Sequence, residues 1–187
     1  MPSPGSAELH VLLLRGINVG GKNRLPMKDL VALATELGGR EVRSYIQSGN
    51  LVYRATPALA SRLPDLLRRQ LAERFGLTVP LVERRGDELV AVAGTNPFLD
   101  DGADPEQLHV AFLAATPAAA RAAALDPNRS PGDRFLLRGR DLYLHCPPGV
   151  ARTTLTIDYL DAKLATVSTV RNWRTVLALR SLVLGET

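Results

Sequence analysis

The sequence predicts an α+β protein made of two ferredoxin-like (split βαβ) lobes, each a mostly antiparallel sheet with helices packed on one face. Three observations predict it. Residues 9–14 and 108–114 are short, continuous apolar runs of strand length. Each is followed by a helical pattern, two short strands around a turn, a second helical pattern and a further strand, the order of a split βαβ unit. The turns between the paired strands, Ser48-Gly49-Asn50 and Arg138-Gly139-Arg140-Asp141, carry hairpin chemistry at matching places in that order. The expected lobes are residues 8–85 and 86–187, the second with an extra C-terminal helix. The halves share no obvious sequence repeat, so the expected duplication rests on element order alone.

In the first lobe, residues 9–14 form the opening strand. Pro26 stands where a first helical residue would, and Leu30, Leu33, Ala34 and Leu37 then recur at helical spacing. Gly38-Gly39 ends that helix, since glycine tolerates the left-handed conformation found after a helix end. Residues 42–46 and 51–53 pair as a hairpin. Thr56-Pro57 supplies a cap and a first helical residue. Leu59, Leu63, Leu66, Leu67 and Leu71 make one apolar stripe, and Pro64 within it predicts a kink or a later start. Gly76 closes the helix, and residues 79–82 add the last strand.

In the second lobe, residues 86–93 predict a short helix and 96–106 a loop rich in Asp, Gly and Pro. Residues 108–114 open the second sheet. Thr116-Pro117 predicts the cap of an Ala-rich helix reaching Leu125, and residues 126–133 a turn-rich loop. Residues 135–137 and 142–145 pair, a helix spans about 153–164, residues 169–171 close the sheet, and 173–184 form a final helix.

Composition narrows the class. Hydrophobic residues at 45% and charged residues at 22% are those of an ordinary soluble globular protein. No apolar run approaches the ~20 residues of a membrane helix, so no membrane partner is expected. Residues 1–6 lack the basic start and apolar core of a signal peptide. The single cysteine, Cys146, excludes an internal disulfide, and a cytoplasmic location is expected. The net charge of +4 permits an anionic partner. Arginine dominates the cations, with lysine only at Lys22, Lys28 and Lys163, and no uninterrupted basic run forms a nucleic-acid tail.

The densest chemistry lies in Arg15-Gly16-Ile17-Asn18-Val19-Gly20-Gly21-Lys22-Asn23, where a strand ends and a helix is about to begin. Backbone amides and cations there suit an anion. The spacing matches a nucleotide-phosphate loop except at Asn23, which replaces the hydroxyl residue that would bind magnesium. The antiparallel strands and Pro26 argue against a nucleotide triphosphatase and leave a looser phosphate or carboxylate site. Gln47, Ser48 and Asn50 at the hairpin tip offer hydrogen bonds without titrating; Ser48 has no neighbouring base to make it a nucleophile. Arg171, Asn172 and Trp173 combine cation, amide and the only indole. The alternative for each is structural: Asn172 as a helix cap and Trp173 as core. His10, His109 and His145 lack metal-ligand spacing and read as core or edge residues, and no metal is expected; Asp158 and Asp161 share a helix face, more suited to a wet surface than to a metal.

The glycine-rich loop, Tyr45-Ile46-Gln47-Ser48-Gly49-Asn50-Leu51-Val52-Tyr53, Asn96-Pro97-Phe98 and Thr169-Val170-Arg171-Asn172-Trp173 occur in this order, and with them the chain resembles the bacterial domain-of-unknown-function family 1697. The resemblance implies a compact bacterial protein with the fold above, and it names no activity, ligand or cofactor. Arg174 stands where the family pattern has a polar amide.

The function expected is binding of a small phosphate- or carboxylate-bearing ligand at the glycine-rich loop. Arg15, Gly16, Asn18, Gly20, Gly21, Lys22 and Asn23 form its anion side, and Gln47, Ser48, Asn50, Arg171, Asn172 and Trp173 orient the ligand. The alternative is a nucleic-acid-binding or protein-interaction module without catalysis. Its nucleic-acid form lacks the interleaved Gly, Phe and basic residues of RNA-recognition strands.

Overall fold

A computed structural model describes residues 6–186. The chain packs as two units, one running to Ala91 and taking in the chain from Ala178 onward, the other Val92–Leu177. The last turns of the C-terminal helix therefore belong to the first unit.

The first unit is built on β1 (Glu8–Leu14), β2 (Arg40–Tyr45), β3 (Asn50–Ala55) and β4 (Leu81–Arg85). They form one antiparallel sheet in the order β2-β3-β1-β4. Alternation along β1 puts Leu12 and Leu14 on the face that also carries Leu51 and Tyr53 of β3. Helix α1 (Met27–Glu36) brings Leu30, Leu33 and Ala34 to that face, and α3 (Leu63–Phe75) brings Leu63, Leu67 and Leu71. Each fully buried leucine contributes about 2 kcal/mol by leaving water.

Local chemistry sets the element ends. Pro26 is the residue before α1, not its first member, because its ψ of 133° is extended. Thr56 caps the short α2 (Pro57–Ala60) by accepting from the Leu59 amide. Pro64 produces a break: α2 stops at Ala60 and α3 starts at Leu63, with the proline in its first turn where no amide is missed. Gly76 ends α3 at φ 64°. β4 starts two residues later than expected and runs on through Arg84 and Arg85. Those charges argue for a strand end, yet Arg84 is buried and donates from Nη1 to the Glu83 carbonyl at 2.8 Å. His10 is a core histidine, stacked on Tyr53 and 2.6 Å from Glu83 through Nδ1.

The second unit repeats the element order. β5 (Leu108–Leu113), β6 (Arg134–Arg138), β7 (Asp141–His145) and β8 (Ser168–Asn172) form an antiparallel sheet in the order β6-β7-β5-β8. Ala111, Leu113, Leu142 and Leu144 pack on Leu160 and Leu164 of α7 (Ile157–Leu164). Helix α4 (Gly86–Gly94) follows β4 directly, as α8 (Trp173–Leu184) follows β8. Three expectations change. The loop 96–106 contains α5 (Pro97–Asp100) and a 3₁₀ turn at Pro105–Gln107, since Asn96 and Asp104 each cap a following amide. The Ala-rich helix shrinks to α6 (Ala119–Ala123), because Ala118 rather than Thr116 precedes it and none of its residues is buried. Helix α7 starts at Ile157, four residues later than expected, because Thr156 caps it, while Thr153 Oγ1 accepts from the Leu155 amide.

The registers of the two sheets correspond in detail. Leu9-His10-Val11 and Leu108-His109-Val110 occupy matching places, with Val11 opposite Arg84 and Val110 opposite Arg171. Leu14 N donates to Gly49 O, and Leu113 N to Arg140 O, both at 2.8 Å at the hairpin tip. Arg15 N meets Pro80 O at 2.9 Å, and Ala114 N meets Val167 O at 2.8 Å. Among the described residues no helix is long and apolar enough to cross a membrane.

Candidate functional site

The crossover from β1 to α1, residues 15–26, folds around one side chain. Asn18 donates from Nδ2 to the Leu25 carbonyl at 2.8 Å and to the Gln47 carbonyl at 2.9 Å, and its Oδ1 accepts from the Leu25 amide at 2.8 Å. It therefore ties the two ends of the crossover together and ties both to the β2–β3 hairpin tip. Its φ of 56° is left-handed, which asparagine tolerates better than most residues. Ile17 is buried beneath it.

Within this frame, Val19-Gly20-Gly21-Lys22 is a two-residue hairpin turn. Val19 bridges Lys22, whose amide donates to Val19 O at 3.0 Å. Both central glycines have positive φ, 58° and 76°, the signature of a type I′ turn. The Gly20 and Gly21 amides meet no protein acceptor among the described residues. Asn23, also left-handed, donates from Nδ2 to Gly16 O at 3.0 Å. Lys22 and Arg24 are exposed and have no ion-pair partner among the described residues. No Asp or Glu occurs in residues 15–26.

The hairpin tip packs flat against this loop because of Gly49. A Cβ there would lie 2.7 Å from Leu14 Cβ and 3.3 Å from Ile17, and the φ of 71° disfavours a side chain in any case. Asn50 is buried, and its Nδ2 donates to Tyr45 O at 3.2 Å and Ser48 Oγ at 2.9 Å. The result is a shallow depression of about 450 Å³ lined by Asn18, Gly21, Arg24, Leu25, Pro26 and Gln47.

The residues named from sequence thus divide. Arg15, Gly16, Asn18, Gly20, Gly21, Lys22, Asn23, Gln47, Ser48 and Asn50 come together in the first unit. Asn18, Asn23 and Asn50 are spent on holding the frame, and Lys22, the glycine amides and Gln47 face solvent. Arg171, Asn172 and Trp173 belong to the second unit. Arg171 is buried, its Nη1 donating to Thr169 Oγ1 at 2.8 Å, and burial pulls its pKa down to about 10. Asn172 Oδ1 accepts from the Thr175 amide at 2.8 Å, the cap of α8, and Trp173 is 2% exposed. Arg24, which lines the depression, lies one residue beyond the nucleotide-loop spacing that ends at Asn23; the run of loop residues continuing to Pro26 was the sequence signal for it. That pattern does not form a nucleotide-phosphate loop, since α1 begins five residues after Lys22 and the sheet is antiparallel.

Outside the loop, His145 is held by Arg134 Nε at 3.3 Å on Nδ1 and by Gln107 Oε1 at 3.1 Å on Nε2. Burial and then the Arg134 charge lower its pKa. Among the described residues no cluster of His, Cys, Asp and Glu is built to hold a metal.

A family model described as protein of unknown function (DUF1697) matches residues 8–143, well over half of the chain. The chain belongs to this family. The match takes in the glycine-rich loop, the hairpin tip and Asn96–Phe98 of this DUF1697 protein, and ends before Arg171. Among solved structures it is similar to a conserved bacterial protein, SP0830 from Streptococcus pneumoniae, with 20% identity and a TM-score of 0.69 over 95% of this chain and 99% of the other. At that identity the likeness shows the fold alone. No curated protein matches the DUF1697 chain.

Proposed function

We propose that the crossover 15–26 and the hairpin tip bind a small anionic ligand bearing phosphate or carboxylate. Lys22, Arg24 and Arg15 supply charge; the Gly20 and Gly21 amides and the Gln47 side chain supply direction. One observation carries this reading. The second unit joins its first strand to its first helix with five residues, 114–118, while the first unit uses twelve, 15–26. The short connection suffices for this topology. The longer one holds two cations without an ion-pair partner and two amides without an acceptor among the described residues, and its own sequence has no carboxylate. Exposed cations on a loop that carries no carboxylate of its own favour an anion.

The matching strand orders, the Leu-His-Val recurrence and the paired registers support a finer reading of the fold: two ferredoxin-like lobes derived from one by duplication. On that reading the longer crossover is an addition to one lobe. The single thiol, buried and free, suits a cytoplasmic location.

The test is a thermal-shift and calorimetric titration with inorganic phosphate, acetate, nucleotides and a short single-stranded RNA, on the wild type and the Lys22→Ala/Arg24→Ala double variant. A ligand at 100 times its Kd stabilises by about 2.7 kcal/mol. That raises the Tm of a chain this size by roughly 5–10 °C. The expected result is a shift with a small anion that the double variant loses. A shift that survives in the variant, or binding to RNA alone, refutes the reading.

A further inference from the structure

We propose that the anion taken by this site carries an aliphatic group, which lies across Val19 and Ile46. This rests on the anion reading above and narrows its substrate class. Val19 at 63% and Ile46 at 52% are the two most exposed large apolar side chains among the described residues. They sit on adjoining loops: each is next in sequence to one partner of the Asn18–Gln47 hydrogen bond of 2.9 Å, and both of those partners line the depression. Val19 lies directly opposite Lys22 in the turn, and opposite residues of such a pair project to the same side. An apolar and a cationic side chain are thereby presented together.

Ile46 adds an independent observation. Its φ of 47° is left-handed, a region that a β-branched residue seldom occupies. Its side chain is turned to solvent, so packing within the fold does not offset that cost. Asn or Gly would hold the same turn more easily. Strain kept for an exposed apolar side chain points to contact with something outside the chain. The two loops contain no aromatic residue on which a base would stack and no carboxylate to repel an anion. An alkyl chain ending in phosphate or carboxylate satisfies both halves of the surface.

The experiment compares inorganic phosphate, ethyl phosphate and octyl phosphate, the last below its micelle concentration, by calorimetry. Proteins are the wild type, Val19→Asn/Ile46→Asn and Lys22→Ala/Arg24→Ala. Octyl phosphate is expected to bind at least about tenfold more tightly than ethyl phosphate, from burial of a few methylenes. The Val19/Ile46 variant is expected to lose that advantage, to keep its affinity for inorganic phosphate, and to melt no lower than the wild type, since asparagine accepts the left-handed φ. The Lys22/Arg24 variant is expected to lose all three ligands. Equal affinity for ethyl and octyl phosphate, or an advantage that survives in the Val19/Ile46 variant, overturns this inference and leaves the anion reading standing. Failure of every phosphate to bind, with acetate and octanoate failing likewise, overturns both. Sedimentation with phosphatidylglycerol against phosphatidylcholine vesicles then assigns the source: selective capture lost in the Val19/Ile46 variant identifies lipid, and no capture identifies a soluble alkyl anion.

Discussion

Replacing Asn18 tests whether one side chain holds the site. Two of its hydrogen bonds are partly buried and go to the backbone of Leu25, a residue itself only 1% exposed. The third, to Gln47 O, is exposed, so water replaces it at little cost. Each partly buried bond is worth about 1 kcal/mol, with the orphaned Leu25 amide adding to the loss. Asn18→Gly keeps the backbone free to adopt φ 56° and removes only the side chain, so the expected loss is about 2 kcal/mol. Asn18→Ala adds the left-handed penalty and brings it to about 3 kcal/mol. At about 2–4 °C per kcal/mol, the Tm falls by roughly 4–8 °C for glycine and 6–12 °C for alanine. Urea titration with hydrogen exchange resolved by peptide is the assay. Protection is expected to drop in residues 15–26 and 45–50 and to persist in β7. Two variants each within about 0.5 kcal/mol of wild type would refute the account of Asn18 as the tie between the two ends of the crossover.

Two further outcomes follow from the second unit. Cys146 is buried, and burial first, then the charge of Asp133, pushes its thiol pKa up to about 11. Because the thiolate is the reactive form, an aromatic disulfide reagent at mildly alkaline pH is expected to leave it unmodified until urea unfolds this unit; complete labelling within seconds under native conditions would contradict the burial. His109 and His145 both have pKa values lowered from 6.5, chiefly by burial. Below that value the unfolded chain binds protons that the folded chain does not. Their contribution to stability is therefore complete above about pH 6.5 and is lost as the pH falls below it. The urea midpoint of the second unit should drop between about pH 7 and 5, less steeply in His109→Gln; identical slopes would remove His109 from the explanation.

Much of the fold was legible in order along the chain because its signals are local. The break at Pro64, the stop at Gly76, the hairpin at Ser48-Gly49-Asn50 and the full extent of α8 follow from backbone chemistry and apolar spacing. The errors fall where tertiary burial overrides local character. β4 continues through Arg84 because burial beside Val11 in the sheet accommodates a residue that composition assigns to the surface. α6 is short because alanines with nothing to bury propagate a helix poorly, whatever their propensity. The matching registers of the two sheets were hidden because Leu9-His10-Val11 and Leu108-His109-Val110 are too short a likeness to notice until the strand pairings align them.

For the site, residue types and positions along the chain already marked the stretch from Arg15 to Asn23 and the tip at Gln47, since glycines, amides and cations between a strand and a helix limit what the backbone does there. Which of those groups are free is a different question, because hydrogen bonds are made between residues far apart in sequence. Only the folded chain consumes the Asn18 amide on Leu25 and Gln47, buries Asn50 and Trp173, and leaves Lys22 and Arg24 without an ion-pair partner among the described residues. Composition decides which groups are available for chemistry; packing decides which of them remain available after the fold has been satisfied.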